Sequence, residues 1–176
     1  MFRMVFILFL SALFLAGCAA GEQPQWGEAG KAVTFRVTCK GNLDPGFVYR
    51  IAVDTDGNAL TGPSSNPSFW EEVYVLEWRN GVCYLLSPDG TRVYIFESTF
   101  SGQTAEATVD LEALGNPDQM EVMALVEDDG GNVLDYLRNF FPVRLKYQQS
   151  VTRTDEEGDA SEPSADILRV SVEVSF

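Results

Sequence analysis

Apolar and polar residues alternate along most of this chain, and the alternation has the period of strands. Val33-Thr34-Phe35-Arg36-Val37-Thr38-Cys39 predicts a half-buried strand with Val33, Phe35, Val37 and Cys39 on its apolar side. Asp44-Pro45-Gly46 marks a turn. Phe47 to Val53 predicts the next strand, with Phe47, Tyr49, Ile51 and Val53 on one face, expected to pair antiparallel with the first. A long strand is expected over Phe69 to Arg79, closed by Asn80-Gly81, a two-residue hairpin turn whose central residues both need positive φ. That turn sets Arg79 opposite Val82, Trp78 opposite Cys83 and Leu76 opposite Leu85. One face of the hairpin then carries Tyr74, Leu76, Trp78, Cys83 and Leu85, and the other Val73, Val75, Glu77, Val82, Tyr84 and Leu86. Both faces are largely apolar, so the hairpin is either covered on both sides or keeps one side for binding.

Beyond the turn Ser87-Pro88-Asp89-Gly90, a strand is expected over Thr91 to Ser98 and another over Ala105 to Leu111. Leu111 to Gly115 reads as one helical turn closed by Gly115. Met120 to Val126 is a strongly apolar central strand, Asp128 to Asn132 a turn, and Val133 to Leu137 a short strand. Pro142 demotes Phe140 to Leu145 to an edge strand or loop. The acidic stretch 148–166 is expected to be mobile. Ile167 to Phe176 alternates again and closes the sheet. Roughly eight to ten short strands with turns between them predict an all-β antiparallel β-sandwich, jelly-roll or immunoglobulin-like.

Composition narrows the chemistry. The chain has 176 residues with a net charge of -14 and no histidine. Clusters of Lys and Arg are absent, which argues against nucleic acid as a partner. The lack of histidine removes Ser-His-Asp and Cys-His catalysis and His-ligated zinc, and leaves oxygen ligands for a hard cation. Carboxylate pairs such as Glu71 and Glu77 occur on any acidic strand, so the chain is not expected to be an enzyme.

Met4 to Leu15 is an apolar run broken only by Ser11, too short to span a bilayer comfortably. It ends in Leu15-Ala16-Gly17-Cys18, which closely resembles the bacterial lipoprotein lipobox. The resemblance implies a signal peptide over 1–17 and lipidation (palmitate-type acyl chains) of Cys18. It implies membrane attachment through that anchor in the bacterial cell envelope: the outer membrane where the cell has one, otherwise the outer face of the plasma membrane. Residues 18–31 then form a flexible tether carrying Trp26, and 32–176 the sandwich domain. With Cys18 set aside, Cys39 and Cys83 are an even pair in an oxidising compartment. They are a candidate disulfide worth on the order of 4 kcal/mol in the chain-entropy model; the other reading is two buried thiols.

Asp54-Thr55-Asp56-Gly57-Asn58 places oxygen side chains at alternate positions, so Asp54, Asp56 and Asn58 are candidate ligands of a structural calcium. The loop is no EF-hand, and the same residues also make ordinary turns. The run Tyr49 to Asn58, with Thr61-Gly62-Pro63, Trp70 and the Tyr74-bearing strand, resembles uncharacterised bacterial envelope lipoproteins and, more distantly, β-sandwich domains of the family 9 carbohydrate-binding and DOMON type. The resemblance covers roughly Val48 to Val126 and implies sugar or haem ligands, with calcium in a structural role. Trp70, Tyr74 and Trp78 are then candidate ligand-binding aromatics, although core packing also explains them. The expected function is a lipid-anchored, non-enzymatic binding or interaction module for a glycan, small ligand or protein partner. The alternative is a structural envelope lipoprotein without a small-molecule site.

Overall fold

A computed structural model describes residues 31–146 and 150–175. Cys18, Trp26, the signal and tether segments and Phe176 lie outside the described residues. Twelve strands are present among them: β1 (Ala32–Cys39), β2 (Val48–Asp54), β3 (Tyr74–Arg79), β4 (Val82–Leu86), β5 (Arg92–Tyr94), β6 (Ser98–Ser101), β7 (Thr104–Asp110), β8 (Gln119–Glu127), β9 (Val133–Tyr136), β10 (Phe141–Arg144), β11 (Ser150–Thr154) and β12 (Ile167–Ser175). They form two antiparallel sheets, a five-stranded one in the order β11-β12-β1-β7-β6 and a seven-stranded one in the order β10-β8-β2-β3-β4-β5, with β9 also on β8. The molecule is an all-β sandwich. No helix among the described residues is long and apolar enough to cross a membrane.

Alternation decides what lies between the sheets. Val33, Phe35, Val37 and Cys39 of β1 stand beside Val109, Ala107 and Ala105 of β7 and Val174, Val172 and Val170 of β12, all buried. The facing layer is Tyr49, Ile51 and Val53 of β2, Leu76 and Trp78 of β3, Cys83 and Leu85 of β4 and Val122, Ala124 and Val126 of β8. The Asn80-Gly81 turn forms as the sequence predicts, with φ of 53° and 75°. It pairs Arg79 with Val82, Trp78 with Cys83 and Leu76 with Leu85. Gly115, at φ 81°, closes the single helical turn Leu111–Leu114.

Four expectations change. The first two strands do not pair: β1 lies between β12 and β7, and β2 between β3 and β8. The segment after β1 is tied to its own sheet, through Cys39 N donating to Gln103 O (2.9 Å) and Lys40 N to Asp166 O (2.8 Å), before the chain crosses over. Gly41 permits this close passage, since a Cβ there would stand 2.8 Å from the Pro163 carbonyl carbon. The strand expected from Phe69 begins only at Tyr74, because Pro67–Phe69 coils into a 3-10 turn capped by Asn66. The strand expected over Thr91 to Ser98 splits into β5 and β6 where the chain changes sheets. Ile95 N still donates to Cys83 O (3.1 Å), while Thr108 N donates to Glu97 O (2.8 Å).

The fourth concerns the acidic stretch expected to be mobile. Residues 150–154 form β11 on β12, and the following loop is fastened down. Gly41 N donates to Pro163 O (2.6 Å), Tyr49 Oη to Ser164 O (3.0 Å) and Ile167 N to Asp135 Oδ2 (2.6 Å). Composition registers the charge of this stretch but not the long-range partners that hold it.

Candidate functional site

The excursion from β2 to β3 carries the Asp-rich loop. Each of its three candidate side chains caps the backbone two residues on: Asp54 Oδ1 accepts from Asp56 N (3.0 Å), Asp56 Oδ1 from Asn58 N (2.7 Å) and Asn58 Oδ1 from Leu60 N (3.2 Å). Thr61 Oγ1 adds a bond to Asp56 Oδ2 (3.3 Å). The loop thus uses its acids as turn formers, as Asx chemistry allows. The excursion then runs past β8, which lies between β2 and β10, and lays Gly62 against Phe140 at the start of β10; a Cβ at Gly62 would stand 2.7 Å from the ring.

The three aromatics expected to bind a ligand are not gathered on a surface. Trp78 is fully enclosed (0% exposed) on the inner face of β3, and Trp70 is buried with its Nε1 donating to Ser64 O at 2.7 Å. Tyr74 is half-buried on the inner side of the same strand as Trp78. The core takes these rings, so they are not a stacking platform.

A different aromatic group faces outward. Tyr84 of β4 and Tyr94 of β5 are cross-strand partners whose rings meet edge-to-face at 5.9 Å, and Tyr94 meets Phe96 at 4.5 Å. Phe96 is 86% exposed and Tyr94 44%. The Arg92 guanidinium lies 3.9 Å over the Tyr84 ring, and its Nη2 is 3.2 Å from Glu77 Oε1. Tyr84 shares its hairpin face with Val73, Val75 and Glu77, which the structure shows to be the outer one; Tyr94 and Phe96 were not among the candidate residues. Their equal parity in Arg92-Val93-Tyr94-Ile95-Phe96 was the available signal.

Beside this edge, on the same outer face of the seven-stranded sheet, lies buried charge. Arg50 bridges β3 and β8: Nη2 lies 2.9 Å from Glu77 Oε2 and Nη1 2.8 Å from Glu127 Oε2. Both glutamates are buried. Burial pushes the Glu127 carboxyl above its usual range, against the pull of Arg50.

At the far end, one oxygen each from Asp135, Asp159 and Asp166 lies within 4.8 Å of the others, and among the described residues this is the acidic trio so closely gathered. Backbone amides answer it: Tyr136 N donates to Asp135 Oδ1 (2.8 Å), and Gly158 N donates to Asp166 Oδ2 (2.9 Å). Burial raises the Asp135 carboxyl to about 6, opposed by the Ile167 and Tyr136 amides and aided by Asp159 and Asp155. Asp155 also borders a cavity of about 380 Å³ lined by Leu137, Arg138, Asn139, Arg153 and Thr154.

Of the two readings of Cys39 and Cys83, the structure holds the pair of buried thiols and not the bridge. Both are free, buried thiols, on β1 of one sheet and β4 of the other. Burial pushes each thiol up to about 12, helped at Cys39 by Asp135 and Asp166 and at Cys83 by Glu77. Neither is ionised near neutrality, so neither is a ready nucleophile.

Comparison with protein-family models, with curated proteins and with solved structures returned no match for this chain. The geometry of the sandwich and the sequence signals around it are therefore the grounds for a functional reading.

Proposed function

We propose that this chain is a lipid-anchored cell-envelope lipoprotein that acts as a non-enzymatic binding module, and that it meets its partner through the Tyr84–Tyr94–Phe96 edge. The lipobox at Leu15 to Cys18 supplies the anchor by resemblance. The observation that carries the binding reading is the exposed aromatic edge itself. Phe96 and Tyr94 leave apolar area in water while Arg92 lies over Tyr84. Exposed aromatic patches of this kind mark interaction surfaces, and Tyr and Arg are the side chains enriched where binding energy concentrates. Rings flanked by a guanidinium suit a partner with an apolar face and polar rim, a chemistry shared by a sugar ring and a protein surface.

The test is a glycan array in parallel with a pull-down from envelope extract, using residues 31–176 as bait. The double variant Tyr94→Ala/Phe96→Ala is expected to lose at least about tenfold in binding with its melting midpoint unchanged. Capture that survives this variant would remove the edge from consideration, and the two arms separate glycan from protein. The anchor is checked by mass spectrometry of the membrane fraction, where a diacylated or triacylated peptide starting at Cys18 is expected. An intact Met1 or an unmodified Cys18 would defeat that part of the reading.

A further inference from the structure

The β2–β3 excursion is polar almost throughout. From Thr55 to Ser68 it is built of Thr, Asp, Asn, Ser, Gly and Pro, with Ala59 and Leu60 as its apolar members. It is also fastened down. Gly62 lies against the Phe140 ring, Trp70 Nε1 donates to Ser64 O at 2.7 Å, and Trp70 and Val73 join the core. Yet Leu60 is 90% exposed and Phe69 72%. Single exposed apolar residues are ordinary, but two large ones held out by one fastened excursion point to a contact surface.

The place of the excursion decides what that surface meets. Leu111 N donates to Lys31 O (2.8 Å), which ties the residue before β1 to the helical turn after β7. Gly115 closes that turn, and a Cβ there would stand 3.7 Å from Tyr74 Oη. Tyr74 is where the excursion rejoins the sheet, opposite Val53. The chain therefore enters the sandwich at the end where the excursion leaves and returns. The stretch from Cys18 to Lys31 reaches at most about 45 Å when fully extended. An acyl anchor at Cys18 holds this end nearest the membrane, while the opposite end lies about 30 Å further along the nine-residue strands β8 and β12.

We propose that the β2–β3 excursion is a membrane-contact loop, which seats Leu60 and Phe69 in the headgroup region of the lipid surface that holds the acylated Cys18. The contact rests on the lipobox reading. Two apolar side chains alone bind a bilayer weakly, but a covalent anchor makes their contact intramolecular, at high effective concentration. The loop then sets orientation rather than attachment: the sandwich is held with its entry end down. Asp54, Asp56, Glu71 and Glu72 flank the two residues, and the excursion carries no Lys or Arg. A zwitterionic headgroup layer therefore suits it, and an anionic one repels it.

The experiment uses the lipidated full-length protein in phosphatidylcholine vesicles. A nitroxide is placed at Leu60→Cys, at Phe69→Cys or, as reference, at Val133→Cys, an exposed residue at the opposite end, where β9 meets Glu127. Cys39 and Cys83 are buried and stay unlabelled. Electron paramagnetic resonance then compares collisions with dissolved oxygen and with a water-soluble nickel chelate. The oxygen-to-nickel ratio is expected to be at least about threefold higher at positions 60 and 69 than at 133. Added phosphatidylglycerol should lower it, and Phe69→Asp should return the label at position 60 to the reference value. Labels at 60 and 69 that match position 133 on vesicle-bound protein overturn the loop contact and leave the anchor standing. Labels shielded from oxygen and nickel alike would mean that protein covers the loop, and overturn the lipid assignment. Protein without an acyl group at Cys18 that stays off the vesicles removes the anchor reading and this contact with it.

Discussion

On the outer face of the five-stranded sheet, Thr34, Arg36, Thr104, Glu106, Thr108 and Ser171 are half-exposed, and Glu173 and Arg169 are exposed; Thr38 alone of β1's outward residues is buried. On the outer face of the seven-stranded sheet, Ala52, Val75, Met123 and Leu125 are buried together with Glu77, Glu121 and Glu127. The first face follows the rule for an antiparallel sheet with one side in water, apolar in and polar out. The second is buried across β2, β3 and β8, while its β4–β5 edge, with Tyr84 and Tyr94, stays partly in water; the β2–β3 excursion that reaches Phe140 lies at its β8 end. Arginine–glutamate pairs occur on both faces, Arg36 with Glu106 and Arg50 with Glu77 and Glu127. The residue types are the same, but the solvent around them differs, and the energetics should differ accordingly.

The largest expected effect comes from removing the cation of the closed face. Arg50→Ala would leave Glu77 with only the more exposed Arg79 and Arg92, and Glu127 without its guanidinium. Breaking a buried ionic network on one side costs about 3–5 kcal/mol, most of it from the stranded carboxylates. Urea denaturation should show this as a lower midpoint at unchanged slope. A loss under about 1 kcal/mol would mean that water reaches this face and that the two faces are alike after all.

Acidification probes buried charge more gently. The folded protein holds Asp135 at about 6, and Glu121 and Glu127 above their usual range. A carboxyl raised on folding binds its proton more tightly in the native state. Its contribution to stability is therefore fully present below the unfolded value and is lost as pH rises through the folded one. Stability should rise between pH 7 and pH 5, by about 1 kcal/mol from Asp135. Melting curves across that range check the sign. Stability that falls steadily from pH 7 to pH 5 would show that these carboxyls are not held in their raised state.

Much of the sandwich was legible because alternation and turn chemistry are local. Asn80-Gly81 specified the hairpin register, Val33 to Cys39 announced its strand and inner face, and Met120 to Val126 announced a central strand. Sheet membership was not legible. The exchange of neighbours between β1 and β2, and the split at Ile95, depend on hydrogen bonds to residues far along the chain, such as Gln103, Asp166 and Thr108. The candidate sites divide the same way. Asp54, Asp56 and Asn58 stand out by spacing, whereas Tyr84 and Tyr94 become neighbours only through the β4–β5 register. The resemblance makes Trp70, Tyr74 and Trp78 candidate ligand contacts; burial decides between platform and core, and single residues do not reveal it.

The smallest expected effect lies on the open face. Arg36 Nε donates to Glu106 Oε2 at 2.6 Å, a geometry as good as any on the closed face. Yet the two side chains keep 37% and 30% of their surface in water. Water solvates either charge when the other is removed, salt screens the pair, and ordering two long side chains opposes its formation. Arg36→Ala should therefore cost no more than about 1 kcal/mol, and a double-mutant cycle with Glu106→Ala should return a coupling of about 0.2–1 kcal/mol that shrinks in high salt. Arg50 and Glu127, treated in the same way, should show a larger coupling with little salt dependence. A coupling at Arg36 equal to that at Arg50 would show that cross-strand geometry sets the strength of these pairs, and the contrast between a wet face and a closed one would lose its energetic meaning.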